Sequence, residues 1–239
     1  MSGGEALIEL GAVEVRRDGR RILDVERLRI DRGRTLLLTG ANGAGKSTLL
    51  KLLAGLLLAD AGSLRCRGVE MARGSAARYC RGRHVYLHQT PYMFDGSVRD
   101  NLAYGLRQRD EPRATRDAEV DQALAWADLD ALALRHARAL SLGEQQRVAL
   151  GRARLLDPSL LLLDEVGANL DGANQRLVQT LIAERRARGA SVVVATHEPA
   201  PLLALVDFHL HLDGGRLAVV QRDFGSVVPL RRPHTPGRS

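Results

Sequence analysis

The feature that most restricts the fold of this sequence is a glycine-rich stretch between two apolar segments. Residues 40–48 read Gly-Ala-Asn-Gly-Ala-Gly-Lys-Ser-Thr and match the phosphate-binding pattern G-x-x-x-x-G-K-[ST]. The apolar residues 35–39 predict a buried strand before this stretch, and residues 49–58 predict a packed helix after it. A strand, a glycine loop and a helix in this order aim backbone N–H groups at a phosphate chain. The sequence therefore predicts an α/β domain that binds a nucleotide.

The residue types in this stretch have separate physical roles. Glycine lets the backbone approach the phosphates closely, Lys46 brings a positive charge to the outer phosphates, and Ser47 offers a hydroxyl to Mg²⁺. A glycine turn that precedes a helix by chance is the alternative, and the four fixed positions make that coincidence rare. The residues expected to contact the nucleotide are Gly40, Asn42, Gly43, Ala44, Gly45, Lys46, Ser47 and Thr48.

Composition sets limits on the class of protein. With 239 residues, 45% of them hydrophobic, the chain can form one large α/β domain or one domain with a small insertion. The net charge of +7 comes mostly from arginines that are spread along the chain, so no nucleic-acid partner is expected. Cys66 and Cys80 are too few for a disulfide framework and are expected to be reduced thiols. No apolar run approaches the ~20 residues that span a bilayer, so the chain is not expected to cross a membrane by itself.

Hydrophobic periodicity predicts an α/β framework with an insertion. The predicted strands are residues 7–15, 28–31, 84–87, 160–163 and 191–195, with short strands and loops over 59–82 and a hairpin over 208–220. The predicted helices are one beginning near Val98 behind the cap Ser97, and residues 118–139, 144–155 and 174–188. Residues 90–140 are interpreted as a helical insertion, and residues 223–239 as a disordered tail.

Two further sequence features concern the hairpins. Asp18-Gly19 predicts the turn that joins the first two strands. His209 and His211 alternate along the last hairpin, and we expect them on its outward, solvated face rather than as metal ligands.

Polar residues follow three of the predicted strands. Asp164 and Glu165 end one strand, where Asp164 is placed to hold Mg²⁺ and Glu165 to act as the general base toward water. His197 ends a second strand and is expected to donate to the γ-phosphate, and Gln89 ends a third and is expected to sense Mg²⁺ or the attacking water. The alternative is a purely structural role for these residues as strand-end caps. The presence of Lys46 in the phosphate-binding pattern disfavours that alternative.

Residues 140–147, Leu-Ser-Leu-Gly-Glu-Gln-Gln-Arg, resemble the signature of ATP-binding-cassette (ABC) ATPases, which usually reads Leu-Ser-Gly-Gly-Gln-Gln-Gln-Arg. The resemblance covers residues 7–220. Within it, residues 40–48 match the Walker A loop, Gln89 the Q-loop, residues 160–165 Walker B, residues 168–171 the D-loop and His197 the switch histidine. Six motifs in the family's order make the resemblance specific.

The resemblance implies a fold and an assembly. We expect a single ABC ATPase domain whose P-loop NTPase (RecA-like) core, with an N-terminal antiparallel β subdomain, comprises residues 1–89 and 141–222. Residues 90–140 would form its helical subdomain. In the family two cassettes enclose two ATP molecules, so a homodimer is expected, with Ser141 and Gly143 touching the γ-phosphate held by the other copy. Glu144 and Asp171 complete the implied ATP-binding set.

The chain departs from the family pattern in two places. In the signature, Leu142 replaces the first glycine and Glu144 replaces a glutamine, and Leu142 adds bulk at a closely packed interface. Near the amino end, Arg16 or Arg17 stands where the family stacks an aromatic ring on adenine, and we assign Arg17. A guanidinium plane stacks on a base as well.

The resemblance also implies a partner. Tyr92, Met93 and Phe94 follow Gln89 as in transporters, where this region contacts a separate membrane permease. Packing of the helical insertion onto the core is the alternative role of these three side chains, and the two roles are compatible. Residues 85–107 are similar to cassettes of bacterial tungstate or phosphate-type oxyanion importers, which favours an importer, an oxyanion cargo and possible cooperation with an extracytoplasmic binding protein. The expected location is the cytoplasm, on the inner face of the cell membrane. The alternatives are a soluble ATPase, for example in iron–sulfur cluster assembly, and the motor of an exporter.

Overall fold

The computed structural model describes residues 5–72, 74–108, 111–166 and 172–222. The strands are Ala6–Arg17 (β1), Arg20–Asp31 (β2), Thr35–Thr39 (β3), Ala61–Cys66 (β4), Val69–Glu70 (β5), His84–Leu87 (β6), Leu160–Asp164 (β7), Ser191–Ala195 (β8), Phe208–Asp213 (β9) and Arg216–Arg222 (β10). The α-helices are Lys46–Leu53 (α1), Ser75–Cys80 (α2), Val98–Ala103 (α3), Arg113–Trp126 (α4), Leu142–Leu156 (α5) and Gly172–Ala187 (α6).

The larger sheet has the strand order β10-β9-β3-β8-β7-β6, and all its neighbours are parallel except the β9–β10 hairpin. Its central strands are buried on both faces. In β8, Val193 and Ala195 pack with β1, β2 and α1, whereas Val192 and Val194 pack with α5 and α6 on the other face. Because successive side chains point to opposite faces of a sheet, a fully apolar strand contributes side chains to the hydrophobic cores on both faces.

The smaller sheet is antiparallel, with the order β2-β1-β4-β5. β1 and β2 are joined by the predicted turn, in which Asp18 and Gly19 have φ angles of 47° and 76°. This left-handed pair is the backbone of a tight hairpin. The sheet covers one face of the larger sheet, as the shared core of β1, β2 and β3 residues requires.

The helical insertion has a third core of its own. Met93 and Val98 pack there with residues of α3 and α4, and α5 contributes Val148 and Leu155. Ser97 caps α3 as predicted, in a reciprocal capping box with Asp100. α5 therefore belongs to both parts of the molecule, because its other face packs on the larger sheet.

Several predicted boundaries are wrong. α1 ends at Leu53 rather than at residue 58, because Gly55 has a φ of 72° and lies so close to α2 that a Cβ would meet Ala76 O at 3.0 Å. α2 itself falls where loops and short strands are predicted. The second half of the predicted helix 118–139 consists of short 3₁₀ turns at Asp130–Leu132 and Ala137–Ala139. The predicted tail, residues 223–239, lies outside the described residues.

The histidine pair alternates with the buried Leu210 and Leu212 as predicted, but its face of β9 is only partly solvated. His209 and His211 are half-buried, because β9 lies between β3 and β10. The Thr39 hydroxyl lies 2.9 Å from His209 Nε2 and 3.1 Å from His211 Nδ1. The two imidazoles therefore flank the last residue of β3. Cys66 and Cys80 are free thiols, both buried.

Candidate nucleotide site

The site is assembled at the carboxyl edge of the larger sheet. The register aligns Leu38 with Ala195, Ala195 with Asp164, and Leu87 with Leu163. The segments that follow β3, β8, β7 and β6 therefore begin side by side at the same edge of the sheet. The carboxyl ends of parallel strands are where α/β proteins bind ligands.

The loop after β3 has its shape fixed by two glycines. Gly40 has a φ of 149°, and a Cβ there would collide with the Leu212 carbonyl of β9. Gly45 has a φ of 105°, and a Cβ there would lie 2.9 Å from Leu23 Cδ2 and 3.0 Å from the Ile22 carbonyl of β2. Only glycine combines these backbone angles with such close packing.

The loop leads directly into the N-terminus of α1. Gly45 is the N-cap residue and supplies no side-chain cap. Within the described part of the chain, the N–H groups of Lys46, Ser47 and Thr48 have no hydrogen-bond acceptor. Free first-turn N–H groups at the positive end of a helix dipole bind anions such as phosphate.

Three charged or titratable side chains from different segments of the chain meet beside this N-terminus. The buried Lys46 places Nζ 2.8 Å from the Gly40 carbonyl oxygen and 3.4 Å from Glu165 Oε1. Glu165 Oε2 in turn lies 2.8 Å from His197 Nδ1 and accepts the His197 backbone N–H at 3.3 Å. Glu165 thus lies between a cation of the loop and the imidazole after β8.

The backbone holds Glu165 in an unusual conformation. Its φ is 53°, in the left-handed region that residues other than glycine rarely adopt. Its N–H donates to the Ala195 carbonyl at 2.9 Å, so the sheet pairing continues through this residue. A strained residue persists only where its surroundings fix it, and such residues concentrate at functional sites.

Asp164 is held by a residue that the sequence analysis missed. The Tyr86 hydroxyl, on the neighbouring strand β6, donates to Asp164 Oδ2 at 2.6 Å. Burial and this hydrogen bond raise the pKa of Tyr86, so the phenol remains a protonated donor. Nothing in the sequence separates Tyr86 from an ordinary strand residue, because its partner is fixed only by the pairing of β6 with β7.

The oxygen atoms around Asp164 fit a magnesium ion. Asp164 Oδ1 is buried and has no hydrogen-bond partner among the described residues. Ser47 and Gln89, which provide neutral oxygens, both have exposed side chains at the same sheet edge. Carboxylate, hydroxyl and amide oxygens are the ligands that Mg²⁺ prefers.

The end of the β1–β2 hairpin lies close to the loop, because Ile22 and Leu23 pack against Gly45. Arg17 stands at this end of β1 and is exposed. Arg16, the alternative for the adenine contact, has its guanidinium 3.2 Å from Glu14 Oε2. The assignment of Arg17 to the adenine stays a prediction.

The predicted signature forms the N-terminus of α5, apart from the residues just described. Ser141 is the N-cap and forms a capping box with Glu144. The N–H groups of Leu142 and Gly143 have no acceptor in the described ranges, and Leu142 is 61% exposed. A Cβ on Gly143 would lie 3.1 Å from Asn174 Nδ2 of α6. No hydrogen bond within the described ranges joins this segment to residues 40–48, and Asp171 lies outside those ranges.

Comparison with known proteins decides the family. A family model described as ABC transporter matches residues 23–168, more than half of the chain. This chain belongs to the ABC transporter family. It is an ATP-binding subunit with ATPase activity, as the sequence analysis predicted.

Relatives of this ABC ATPase include import proteins. The phosphate import ATP-binding protein PstB 2 of Natronomonas pharaonis is 36% identical over 211 residues, which cover 82% of this chain and 74% of that protein. The aliphatic sulfonates import ATP-binding protein SsuB of Cupriavidus necator is 37% identical over 244 residues, which cover 99% of this chain and 74% of that protein. A solved structure of an ATP binding subunit of an ABC transporter matches with a TM-score of 0.80 at 25% identity, covering 90% of each chain.

The ABC ATPase also carries an aromatic patch, formed by Tyr92, Phe94, Tyr104 and Arg152. Phe94 stacks on Tyr104 with ring centroids 3.9 Å apart, and the Arg152 guanidinium lies 5.1 Å from the Phe94 ring centroid. Tyr92 is 67% exposed, whereas Met93 is buried in the helical core. The predicted contact segment thus has the buried Met93 between an exposed Tyr92 and a half-buried Phe94. No helix in the described ranges is long and apolar enough to cross a bilayer.

Proposed function

We propose that this ABC ATPase powers the import of an oxyanion through a separate membrane permease, by closing two copies of the chain around two ATP molecules. One observation carries the proposal. Lys46, Glu165 and His197 converge beside the open N-terminus of α1, whereas the signature residues stand on a different, exposed helix N-terminus. Each copy therefore supplies one half of each of two sites, and the second half comes from its partner.

In the proposed site the phosphate chain lies on the free N–H groups of α1. Residues 40–48 surround it, and Lys46 exchanges its contact with the Gly40 carbonyl for the outer phosphate oxygens. Ser47, Asp164 and Gln89 would hold Mg²⁺, whose charge offsets that of the phosphates. Arg17 stacks on the adenine from the end of the β1–β2 hairpin.

The proposed hydrolysis uses Glu165 as the base. Its carboxylate accepts a proton from the water that attacks the γ-phosphorus, and ADP leaves as the bond to the γ-phosphate breaks. His197, 2.8 Å from Glu165 Oε2, orients this carboxylate and donates to the γ-phosphate. Preorganisation of this kind removes the cost of aligning the groups during the reaction.

The signature of the second copy completes the site. Ser141 brings a hydroxyl, and Leu142 and Gly143 bring free N–H groups at the positive end of α5. ATP then joins two surfaces that otherwise have no common ligand, and its hydrolysis releases them. This makes the nucleotide the switch of a two-state assembly.

The transport side of the proposal rests on the aromatic patch and on the relatives. The exposed rings of Tyr92 and Tyr104 on either side of Phe94 suit a protein partner, and the neighbouring Gln89 would link that partner to the nucleotide. The two curated relatives described above carry phosphate and sulfonate import in their names, and both ions are tetrahedral oxyanions. An oxyanion such as tungstate or phosphate is therefore the proposed cargo, delivered by an extracytoplasmic binding protein to a permease with this chain on its inner face.

The replacement Glu165→Gln tests the catalytic part of the proposal. It keeps the size of the side chain and removes the base, so ATP hydrolysis is expected to fall by at least about 100-fold. ATP binding persists, and an ATP-dependent dimer accumulates in sedimentation velocity. The matched control is Glu198→Gln, the other carboxylate beside His197, which should keep near-normal turnover. Normal turnover in Glu165→Gln, or a monomer at saturating ATP, contradicts the proposal.

Uptake measurements test the cargo. A strain that lacks the chain should lose uptake of one labelled oxyanion among phosphate, an alkanesulfonate and tungstate. A strain carrying Glu165→Gln should resemble the deletion, whereas one carrying Glu198→Gln should take up the ion normally. Unchanged uptake of all three ions would reject the proposed cargo class.

A further inference from the structure

The N-terminus of α5 already holds a carboxylate of its own chain. Glu144 Oε2 accepts a hydrogen bond from the Ser141 backbone N–H at 2.7 Å and another from the Ser141 hydroxyl at 2.8 Å. The Ser141 oxygen in turn accepts the Glu144 N–H at 3.3 Å. A hydroxyl has one proton to donate. The hydroxyl hydrogen of Ser141 that the proposed function directs at a γ-phosphate is therefore already donated to the Glu144 carboxylate.

Glu144 is charged in this position. The two hydrogen bonds from Ser141 hold the pKa of Glu144 below its usual range, and Arg135 and Arg147 add smaller effects in the same direction. An anion is favourable at a helix N-terminus whether it belongs to a side chain or to a phosphate. Glu144 and an incoming γ-phosphate therefore use the same donors, and their like charges repel.

We propose that Glu144 competes with the γ-phosphate for Ser141 and so raises the ATP concentration at which two copies join. The inference rests on the proposed function, because it requires Ser141 to meet the ATP of another copy. It changes the role of Glu144. The sequence analysis counts this residue among the ATP-binding set, whereas here it is a positioning residue that acts through Ser141.

The chain contains a matched reference for this arrangement. At the start of α3, the Ser97 N–H and hydroxyl donate to Asp100 Oδ2 at 3.1 and 2.6 Å, and the Asp100 N–H donates to Ser97 Oγ at 3.1 Å. The motif and the charge are the same, but α3 lies in the helical insertion. Asp100→Asn therefore removes the same charge from the same type of cap without changing α5.

The test is an ATP titration of dimer formation in the Glu165→Gln background, followed by sedimentation velocity. Glu144→Gln keeps an oxygen that accepts from Ser141 but removes the charge. We expect the ATP concentration at the midpoint of dimer formation to fall about tenfold, because charged hydrogen bonds are roughly twice as strong as neutral ones. Binding of a fluorescent ATP analogue to the monomer and the melting temperature should not change. Asp100→Asn should leave the midpoint where it is.

A second variant separates competition from capping. Glu144→Ala removes both the charge and the side-chain acceptor of the Ser141 N–H, so it should lower the midpoint and also the melting temperature. A midpoint that is unchanged or higher in Glu144→Gln overturns the inference and leaves the proposed function in place. Failure of the Glu165→Gln parent to dimerise at any ATP concentration overturns both.

Discussion

The proposed function gives the N-termini of α1 and α5 the same type of ligand, but the two helix ends are built in different ways. α1 starts at a glycine without a side-chain cap, and its first N–H groups are open. α5 starts at Ser141 with a complete capping box that includes a carboxylate. α1 is packed between β1, β2 and the larger sheet, so tertiary contacts hold its first turn in place. The start of α5 is exposed, and an exposed helix end needs local hydrogen bonds to be stable.

In the proposed assembly this difference has a physical reason. The helix end that holds the phosphate within its own chain remains open, because packing replaces the cap. The helix end that meets the phosphate only when a second copy arrives needs its own cap, and the proposal requires ATP to displace that cap. The predictions below test the two ends in order of expected effect.

The largest effect is expected for Gly45→Ala, which should destroy the open end of α1. Alanine disfavours a φ of 105°, and its Cβ would meet the Ile22 carbonyl at 3.0 Å, so the loop must move. We expect ATP affinity to fall about 100-fold, measured with a fluorescent analogue, because strain of about 1–3 kcal/mol adds to the loss of loop shape. Gly19→Ala is the control, since Gly19 has a φ of 76° but open space around it. Equal ATP affinity in the two variants would show that the glycine is not needed for loop shape.

A smaller effect is expected for Tyr86→Phe, which tests the carboxylate opposite α1. Without the 2.6 Å hydrogen bond, Asp164 loses the group that orients it. The Mg²⁺ concentration for half-maximal ATP hydrolysis should rise about tenfold, as is typical when a residue that supports a metal ligand is removed. Mn²⁺ binding followed by electron paramagnetic resonance should weaken in parallel. The control Tyr79→Phe, on α2, should change neither measurement. If Tyr86→Phe leaves both the Mg²⁺ dependence of hydrolysis and Mn²⁺ binding unchanged, the role of Tyr86 is limited to packing.

The smallest effect is expected for Leu142→Gly, which tests what the Leu142 side chain does at the N-terminus of α5. Leu142 is 61% exposed at the first position of the helix, so its removal leaves no cavity in the chain itself. If its bulk holds two copies apart, the ATP concentration for dimer formation in the Glu165→Gln background should fall about threefold, which corresponds to about 0.7 kcal/mol. A rise of that concentration would instead identify Leu142 as an apolar contact with the second copy.

The sequence predicted those parts of the site that local pattern controls. β8 was placed at its observed bounds, and the ends of β6, β7 and β8 carry the polar residues that meet at the sheet edge. Fully apolar strands that end in polar residues predict that these polar residues lie together, because parallel strands align their carboxyl ends. The cap of α3 at Ser97 is likewise local. The roles assigned to individual ATP-contacting residues stay predictions.

The errors share one cause, which is that the deciding contact comes from elsewhere in the chain. The end of α1 depends on how closely Gly55 approaches α2, and the half-buried state of His209 depends on Thr39 of β3. For Tyr92, Met93 and Phe94 the sequence left packing and partner contact both open, and the helical core buries Met93 while Tyr92 is exposed and Phe94 half-buried.

By itself, therefore, the sequence determined the family, the α/β fold and the six motifs, because each of these is written in short segments with their own pattern. Only the tertiary structure decided which groups touch. It placed Lys46 and His197 on either side of Glu165, and it gave Asp164 a partner in Tyr86. It also showed the Ser141 hydroxyl bound to Glu144. The sequence motifs identify which residue types could form the site. Hydrogen bonds and ion pairs between them depend on distances of a few ångströms, and only the folded chain fixes those distances.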